Sequence, residues 1–298
     1  MDLAAELAKF GPEAPAGSPP LAEAQGYCRR LAQSHYENFT VAGRLFPRHL
    51  RQHLCNVYAY CRWADDLADE AVSPERSLAL LDWWEQQLDA MFAGEATHPV
   101  FVALRETARQ FDLPRQLLAD LLVAFRRDQM QTRYETMDEL LGYCRYSANP
   151  VGRIVLALGR ALDDENAALS DQVCTGLQLA NFCQDVRRDF DRGRIYLPQD
   201  ACRRHGWDEA KFAAGRCDDG FRQLLAPIVE QADSLLLAGH VLARRVPPDL
   251  RLPVRVFADG GRAILAAIRQ SRYDVWARRP TVGRWTKLRL LARAWWSG

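Results

Sequence analysis

Apolar residues recur at helical spacing along almost the whole chain from Leu21 to Trp296, while the alternating pattern of β-strands is nearly absent. This pattern predicts an all-α protein. The expected helices cover residues 21–43, 48–70, 75–92, 99–111, 114–130, 137–161, 165–191, 218–245, 250–276 and 284–295.

Proline accounts for the breaks between these segments, because it lacks an amide hydrogen and has a fixed φ. The prolines between helices are Pro47, Pro74, Pro114, Pro198 and the Pro247-Pro248 pair. Within the helix expected over 137–161, Asn149-Pro150 followed by Gly152 predicts a kink, and such a break can open a cavity.

The composition is that of one globular domain, with 298 residues, 48% hydrophobic and 26% charged, and no Gly/Ser linker in the middle. We expect a disordered, proline-rich leader over residues 1–20, followed by a single domain over 21–298. The net charge of +1 argues against nucleic acid as a partner, since a surface that binds phosphate backbone usually needs a basic excess.

Eight cysteines without a CxxC pair indicate reduced thiols in a cytoplasmic protein. The chain begins with an acidic residue where a signal peptide needs a basic one, and no apolar run is long enough to span a bilayer.

The segment 284–296 alternates basic and apolar residues and ends in two Trp. It predicts either peripheral contact with the inner membrane or a terminal helix docked on the fold.

The stretch WADDLADE, residues 63–70, places four carboxylates at the end of a helix whose earlier turns look like core. On a helical wheel of about 100° per residue, Arg62, Asp65 and Asp69 lie within roughly 40° of Tyr58. Taken alone, this face is more often a solvated surface with an internal Asp/Arg ion pair.

A second acidic face lies in the helix expected over 165–191. There Gln178, Asn181, Asp185 and Asp189 fall within an arc of about 80°, with Phe182 on the same side. Carboxylates of two helices that faced each other would repel unless a cation lay between them. Mg²⁺ fits best, since it takes one or two carboxylates, keeps water and completes its shell with substrate phosphate.

Positive and aromatic side chains accompany both acidic faces. Arg62 precedes Asp65 by one turn, and Arg194 follows the second face after Gly193, a helix stop. Each of these arginines either contacts a diphosphate or pairs with a neighbouring Asp.

Loss of a diphosphate from carbon leaves a carbocation, which aromatic faces stabilise. The candidates, each of which is otherwise an ordinary core residue, are Tyr36, Phe39, Tyr58, Tyr143 and Phe182.

Four motifs together resemble the squalene/phytoene synthase family of head-to-head prenyl transferases. They are HYENF (35–39), YAYCRWADDLAD (58–69), GYCRYSANPVG (142–152) and LQLANFCQDVRRDFDRGRIYLP (177–198). The resemblance runs from about His35 to about Arg279. It implies an all-α terpenoid-synthase helical bundle with a central cavity, in which two or three Mg²⁺ and a diphosphate lie between two Asp-bearing helices.

The same motifs imply roles for individual residues. The resemblance implies that the metal ions are held by Asp65, Asp69, Asn181, Asp185 and Asp189, with Gln178 beside them. It implies contacts to the diphosphate or an intermediate from Arg62, Tyr143, Arg194 and Tyr196 and, by a looser alignment, from Arg279. Our further candidates for contact with the substrate are His35, Tyr36, Phe39, Gln178 and Phe182. Glu37 and Asn38 are our candidates for positioning a water molecule, since their oxygens accept its hydrogen bonds; surface exposure of Glu37 is the alternative.

Two departures bear on the substrate. Gln184 stands where many members carry an Arg immediately before the second-motif Asp, and HYENF replaces the small Ser-rich residues of other branches. Both features look like the bacterial hopanoid-pathway branch, whose members convert presqualene diphosphate to hydroxysqualene. The resemblance then implies capture of a cation by water, no NADPH, and an upstream presqualene diphosphate synthase as a partner. The chain likewise has no G-x-G-x-x-G motif after a strand that would bind such a hydride donor.

Two alternatives remain open at this point. The first keeps the fold and changes the reaction to condensation of two farnesyl diphosphates, giving presqualene diphosphate or dehydrosqualene, or to the longer phytoene synthesis. The second is a non-catalytic lipid-binding or assembly protein of the same fold. Such a protein is expected to have lost acidic positions, whereas both acidic faces are whole here.

Overall fold

In a computed structural model that describes residues 2–15, 17–34 and 45–283, helices account for nearly all regular structure. They are α1 Leu3–Phe10, α2 Leu21–Ser34, α3 Arg48–Asp69, α4 Pro74–Ala93, α5 Pro99–Phe111, α6 Arg115–Asp128, α7 Met137–Ser147, α8 Asn149–Leu158, α9 Asp164–Asp191, α10 Gln199–Arg204, α11 Glu209–Ala214, α12 Asp219–Leu236, α13 Ala238–Arg245 and α14 Pro248–Gln270. The described residues form no strand, only an isolated bridge between Arg133 and Ile195. The all-α prediction is confirmed.

Proline begins the helices where the sequence predicts breaks. Pro47, Pro114 and Pro198 are the N-cap residues of α3, α6 and α10, and Pro74 is among the first helical residues of α4. The Pro247-Pro248 pair begins α14. Proline is suited to these positions because an amide hydrogen there would have no partner within the helix.

Three boundaries differ from the pattern. The helix predicted over 218–245 is two helices, since α12 ends at Leu236 and α13 begins at Ala238. The helix predicted over 250–276 ends at Gln270, and the short helices α10 and α11 have no counterpart in the prediction. Helices of about six residues are too short to show a clear period of 3.6.

The predicted disordered leader is wrong for residues 3–10, which form α1. The Asp2 carboxylate accepts the backbone N–H of Ala5, Leu3 is buried, and Glu6 accepts a hydrogen bond of 2.7 Å from the Tyr27 hydroxyl. The ring of Phe10 also packs edge-on against Tyr27. These contacts fix a segment whose proline-rich continuation suggested disorder.

The chain divides into two compact units, Met1–Met130 with Arg153–Leu162 and Gln131–Gly152 with Asp163–Gly298. The sequence predicts one domain because no linker marks the points where the chain passes from one unit to the other. In the first unit, α3 packs against α2, α4, α5 and α6. Its core is aromatic, with Trp63 stacked on Trp84 at 5.2 Å and Tyr60 fully buried beside them.

His98 lies edge-on to both tryptophans of that core, with ring centroids 4.6 Å from Trp63 and 4.9 Å from Trp84. Its Nδ1 accepts the backbone N–H of Val100 at 3.1 Å and so caps α5. Its Nε2 is buried and has no hydrogen-bond partner within the described residues. Burial lowers the pKa of His98 to about 3, so this side chain is a neutral core residue.

In the second unit, α9 packs against α7, α11, α12, α13 and α14. Leu179 and Cys183 of α9 and Val229 and Leu236 of α12 are fully buried. Gly176 allows this close approach, because a Cβ there would lie 2.9 Å from the Leu236 side chain. The acidic residues of α9 are therefore carried on a helix that is anchored on several sides.

The break predicted at Asn149-Pro150 is confirmed, since α7 ends at Ser147 and α8 begins at Asn149. Asn149 Oδ1 accepts a hydrogen bond of 2.9 Å from the Thr175 hydroxyl of α9. A Cβ on Gly152 would lie 2.3 Å from Ser170 Oγ and 2.5 Å from Cys174 Sγ. The glycine after the break thus lets the start of α8 lie directly on α9.

All eight cysteines are free, as the sequence predicts. Across residues 2–15, 17–34 and 45–283, no helix combines the length and apolar character that crossing a membrane requires.

Candidate functional site

At the end of α3, Arg62 contacts three of the four acidic side chains of WADDLADE, those of Asp65, Asp66 and Glu70. Its Nη1 lies 3.1 Å from Asp65 Oδ2, and its Nη2 lies 3.7 Å from Glu70 Oε1. The guanidinium donates to both oxygens of Asp66, from Nε at 3.1 Å and from Nη2 through a close contact. The Arg/Asp pairing weighed from the sequence is therefore present, and its main partner is Asp66.

The acids of this motif differ in their surroundings. Asp66 is 1% exposed, whereas the Asp65 side chain is 46% exposed and Asp69 is exposed at the end of the helix. Burial raises the pKa of Asp66 to about 7, and Arg62 opposes that rise. Asp66 is thus a buried partner of Arg62, while Asp65 and Asp69 keep access to solvent. Tyr58, two turns before Asp65, is half-buried.

On α9, the residues of the second acidic face differ in their exposure to solvent. Asn181 is exposed, Gln178 and Asp189 are half-buried, and the Asp185 side chain is only 12% exposed. Burial raises the pKa of Asp189 to about 7; the negative charge of Asp185 adds to the rise and Arg194 counteracts it. The local environment therefore disfavours two negative charges one turn apart unless a further cation joins them.

These donors fit Mg²⁺ bound together with a phosphate group. Carboxylate and amide oxygens are the ligands that Mg²⁺ takes, usually from one or two side chains, with water and substrate phosphate completing the shell. Within the described residues no three His, Cys, Asp or Glu side chains are gathered closely enough to hold a metal by themselves. The residues that would hold Mg²⁺ on this face are Asn181, Asp185 and Asp189.

Arg279 is placed on this acidic face. Its guanidinium donates to both carboxylate oxygens of Asp185, from Nη2 at 2.9 Å and from Nε through a close contact, and also to Gln184 Oε1 at 2.8 Å. The direct partner of Arg279 in the structure is thus an expected metal ligand, and its predicted contact with substrate stays a prediction.

The chain turns back directly after α9, as the glycine predicts. Gly193 adopts a left-handed conformation with φ 79°, and the Arg194 N–H donates to the Asp189 carbonyl at 2.8 Å. The Gly193 carbonyl accepts a hydrogen bond of 2.7 Å from Arg133 Nη1, and the Ile195 N–H donates to Thr132 O at 2.9 Å. These bonds place Arg194 beside Asp189.

A small pocket lies at this turn. It is lined by Phe182, Val186, Asp189, Arg194, Ile195, Tyr196, Leu197 and Phe212. Five of these side chains are apolar, and two, Asp189 and Arg194, carry opposite charges. The pocket therefore has an apolar wall beside a charged pair, which we call the ionic edge.

Aromatic rings continue from this pocket. Phe182 stacks on Tyr196 at 4.1 Å, and Tyr143 stacks on Tyr196 at 5.8 Å. Tyr134 also stacks on Tyr196, at 5.8 Å, and its ring is tilted against that of Tyr143 at 5.2 Å. We call Tyr134, Tyr143, Phe182 and Tyr196 the aromatic group. Tyr196 stacks on each of the other three rings, and each of the four residues is less than 9% exposed.

Three features of this site did not follow from the sequence. Tyr134 lies in a loop without a periodic pattern and joins the aromatic group only because residues 132–134 pair with residues 195–199. Asp66 could not be separated from its acidic neighbours by helical position alone. Gln184 contacts the segment that carries Arg279, which its position in the motif does not indicate.

Some predicted residues lie outside the described residues: His35, Tyr36, Glu37, Asn38 and Phe39 of the first motif, and the tail 284–296. The acidic faces of α3 and α9 belong to different units, and their convergence on one cavity stays a prediction.

Comparison with known proteins gives consistent results. A family model described as squalene/phytoene synthase matches residues 32–286. The chain is 38% identical over 242 residues to a hydroxysqualene synthase of Sinorhizobium fredii, covering 78% of this chain and 80% of that protein. It is 32% identical over 280 residues to a phytoene synthase of Arthrospira platensis, covering 90% and 91%. The crystal structure of squalene synthase HpnC from Alicyclobacillus acidocaldarius aligns with a TM-score of 0.82 and 46% identity, over 85% of this chain and 95% of that one.

Proposed function

Because the chain belongs to the squalene/phytoene synthase family, we propose that it converts presqualene diphosphate and water to hydroxysqualene and diphosphate. The observation that carries the proposal is the arrangement at the end of α9. There Asp189 lies beside Arg194, one turn after Asp185, and the same turn opens onto the aromatic group. A polar cation-binding edge next to aromatic faces suits the ionisation of a hydrophobic diphosphate ester.

The first step breaks the bond between carbon and the diphosphate oxygen, and both electrons leave with the diphosphate. Bound Mg²⁺ would offset the negative charge that develops on the leaving group. The ligands proposed for it are Asp65 and Asp69 on α3 together with Asn181, Asp185 and Asp189 on α9. Arg194 is proposed to donate hydrogen bonds to the departing diphosphate, since a guanidinium does so without transferring a proton. Arg62 and Arg279 are proposed as further cationic contacts.

The carbon skeleton is left as a cation that must rearrange before water reaches it. Aromatic faces attract such a cation by about 0.5–2 kcal/mol each, more when water is excluded. Phe182 and Tyr196 are buried and line the pocket with Asp189 and Arg194, and the buried Tyr143 stacks on Tyr196, which supports this role for them. We also propose Tyr58 of α3 as an aromatic contact, and Gln178 as a neighbour of the metal ligands.

Water then adds its oxygen to the rearranged cation and loses one proton, so no reductant is consumed. The proposal therefore includes no NADPH. Glu37 and Asn38 are proposed to position the water, and His35, Tyr36 and Phe39 to contact the hydrocarbon. A separate enzyme that joins two farnesyl diphosphates would supply the substrate. Contact of 284–296 with a membrane surface would allow the water-insoluble product to pass into the lipid bilayer.

A second candidate reaction is phytoene synthesis or the condensation of two farnesyl diphosphates. It is favoured by the 32% identity to the Arthrospira platensis phytoene synthase over a longer stretch than the hydroxysqualene synthase match. The higher identities to the hydroxysqualene synthase and to HpnC support the first candidate instead.

Product analysis separates the two. Purified protein with Mg²⁺ is incubated with presqualene diphosphate, farnesyl diphosphate or geranylgeranyl diphosphate in water enriched in oxygen-18, without NADPH, and the lipids are identified by mass spectrometry. We expect hydroxysqualene that carries one oxygen-18 to form from presqualene diphosphate and not from either of the other two substrates. Consumption only of the farnesyl or geranylgeranyl ester would overturn the proposal in favour of the second candidate.

A further inference from the structure

Arg279 covers the carboxylate of Asp185 in a two-point contact. Nε and Nη2 each donate to a different oxygen of Asp185, the second at 2.9 Å, and the carboxylate is only 12% exposed. A second cation, Arg188 Nη1, lies farther away at 3.9 Å, and its side chain is 67% exposed. The forked geometry makes Arg279 the main counter-ion of Asp185.

Gln184 holds the segment that delivers this guanidinium. Its Oε1 accepts from Arg279 Nη2 at 2.8 Å and its Nε2 donates to the carbonyl of Pro280 at 2.5 Å, so both ends of one buried amide bind adjacent residues. An arginine at position 184 could not do this, because a guanidinium has donors but no acceptor and would repel Arg279.

The same segment is fixed just before Arg279. The Asp274 carboxylate accepts the backbone N–H groups of Trp276 and Ala277 at 3.2 and 3.0 Å. The indole of Trp276 is 4% exposed and packs at 5.6–5.9 Å from the rings of Trp207, Phe212 and Phe221. Arg279 is therefore presented to Asp185 from an anchored strap, here defined as residues 274–280.

We propose that Arg279 competes with the divalent cation for Asp185, and that Gln184 positions it to do so. The proposal rests on the proposed function, in which Asp185 is a metal ligand. The guanidinium contacts both oxygens that Mg²⁺ would use, and two cations on one carboxylate repel each other, so metal binding at Asp185 is expected to weaken the Arg279 hydrogen bonds. An anionic diphosphate offers the guanidinium another partner and releases the carboxylate. Metal and diphosphate then bind cooperatively, since a ligand shifts an equilibrium only through its preference for one state.

The test measures Mn²⁺ binding by electron paramagnetic resonance, with Mn²⁺ alone and with inorganic diphosphate added. Arg279→Gln removes the competing guanidinium. It is expected to tighten Mn²⁺ binding in the absence of diphosphate by about fivefold or more, which is within the range of typical coupling between sites. The same variant should reduce the enhancement that diphosphate produces. Gln184→Leu should give part of the tightening, and the double variant no more than Arg279→Gln alone, because both act through one guanidinium.

Arg188→Gln is the matched control. It removes the same charge near the same carboxylate without removing a hydrogen bond, so it should change Mn²⁺ affinity by less than about twofold. Arg279→Lys serves where the glutamine variant folds poorly, as judged by circular dichroism, and should give an intermediate affinity because lysine lacks the fork.

Asp185→Asn separates failure of the inference from failure of the function. If Asp185→Asn leaves Mn²⁺ binding with diphosphate unchanged, Asp185 is not a ligand and the proposed function fails with the inference. If Asp185→Asn weakens binding but Arg279→Gln behaves like Arg188→Gln, the competition is overturned and the proposed function stands.

Discussion

Arg62 donates hydrogen bonds to both oxygens of Asp66, a carboxylate that is 1% exposed, and only one to the more exposed Asp65. The acidic motif at the end of α3 thus contains two kinds of acid. Asp66 pairs with Arg62 inside the helix end, and this pair fixes the arginine, while Asp65 and Asp69 are more exposed to solvent.

This division predicts that replacing Asp66 with asparagine lowers stability, whereas replacing Asp69 with asparagine lowers activity alone. Asp66→Asn weakens two charge-assisted hydrogen bonds and should lower the free energy of unfolding by about 1.5–3 kcal/mol. Asp69→Asn should leave stability within about 0.5 kcal/mol, since Asp69 is exposed, and should still abolish turnover. Urea unfolding and product formation measured on the same preparations check both. Equal loss of stability in the two variants would contradict the division.

The buried imidazole of His98 predicts a pH-dependent stability. Burial lowers its pKa to about 3, whereas in the unfolded chain it titrates near 6.5. Between these values the unfolded state holds more protons, so this group makes the protein less stable as pH falls from about 6.5 toward 3, by about 1.4 kcal/mol per pH unit. His98→Asn keeps an acceptor for the Val100 N–H and removes the titration. Its unfolding free energy should depend less steeply on pH over this range than that of the wild type; equal slopes would contradict the assignment.

If the aromatic group stabilises a cation, removing one of its rings should lower kcat, whereas removing an equally buried ring elsewhere should lower only stability. Phe182→Leu and Tyr196→Leu remove ring faces next to the ionic edge, and should lower kcat by about 2- to 30-fold through lost cation–π attraction. Phe101→Leu is the matched control, because Phe101 is equally buried but belongs to the tryptophan core of the other unit. It should lower stability by a similar amount and leave kcat unchanged. Similar kcat values for all three variants would contradict the role given to the rings.

Close packing at the break between α7 and α8 predicts a strong effect of one methyl group. Gly152→Ala places a Cβ within 2.5 Å of two side chains of α9, and should lower the unfolding free energy by about 1–3 kcal/mol. In Gly142→Ala of α7 the new Cβ meets no atom of the described residues within 4 Å, and the change should be neutral or stabilising by up to about 1 kcal/mol. Thermal unfolding of the two variants tests the comparison. A stable Gly152→Ala protein would show that α8 can move away from α9.

Much of the fold follows from the sequence, because periodic apolar residues and prolines act locally. Pro47, Pro74 and Pro198 lie where helices begin, and the interruption at Asn149 is found where it is predicted. What the sequence did not reveal depends on distant contacts. Helix α1 is held on the fold by the hydrogen bond from Tyr27 to Glu6, and Gln184 meets Arg279 across 95 positions of the chain. Such contacts leave no periodic signal.

The candidate site divides in the same way. Spacing along α9 was enough to group Asp185 with Asp189, since residues four apart share a face of a helix. It was not enough to show that Asp185 is already paired or that burial raises the pKa of Asp189 to about 7. These properties arise from the strap and from the helices around α9.

The most direct test of the central claim is a crystal structure of the protein soaked with Mn²⁺ and inorganic diphosphate, with anomalous scattering used to locate the metal. The account predicts manganese peaks within coordinating distance of Asp185 and Asp189, further metal held by Asp65 or Asp69, and diphosphate between them. Peaks absent from these carboxylates, with diphosphate bound elsewhere, would contradict it.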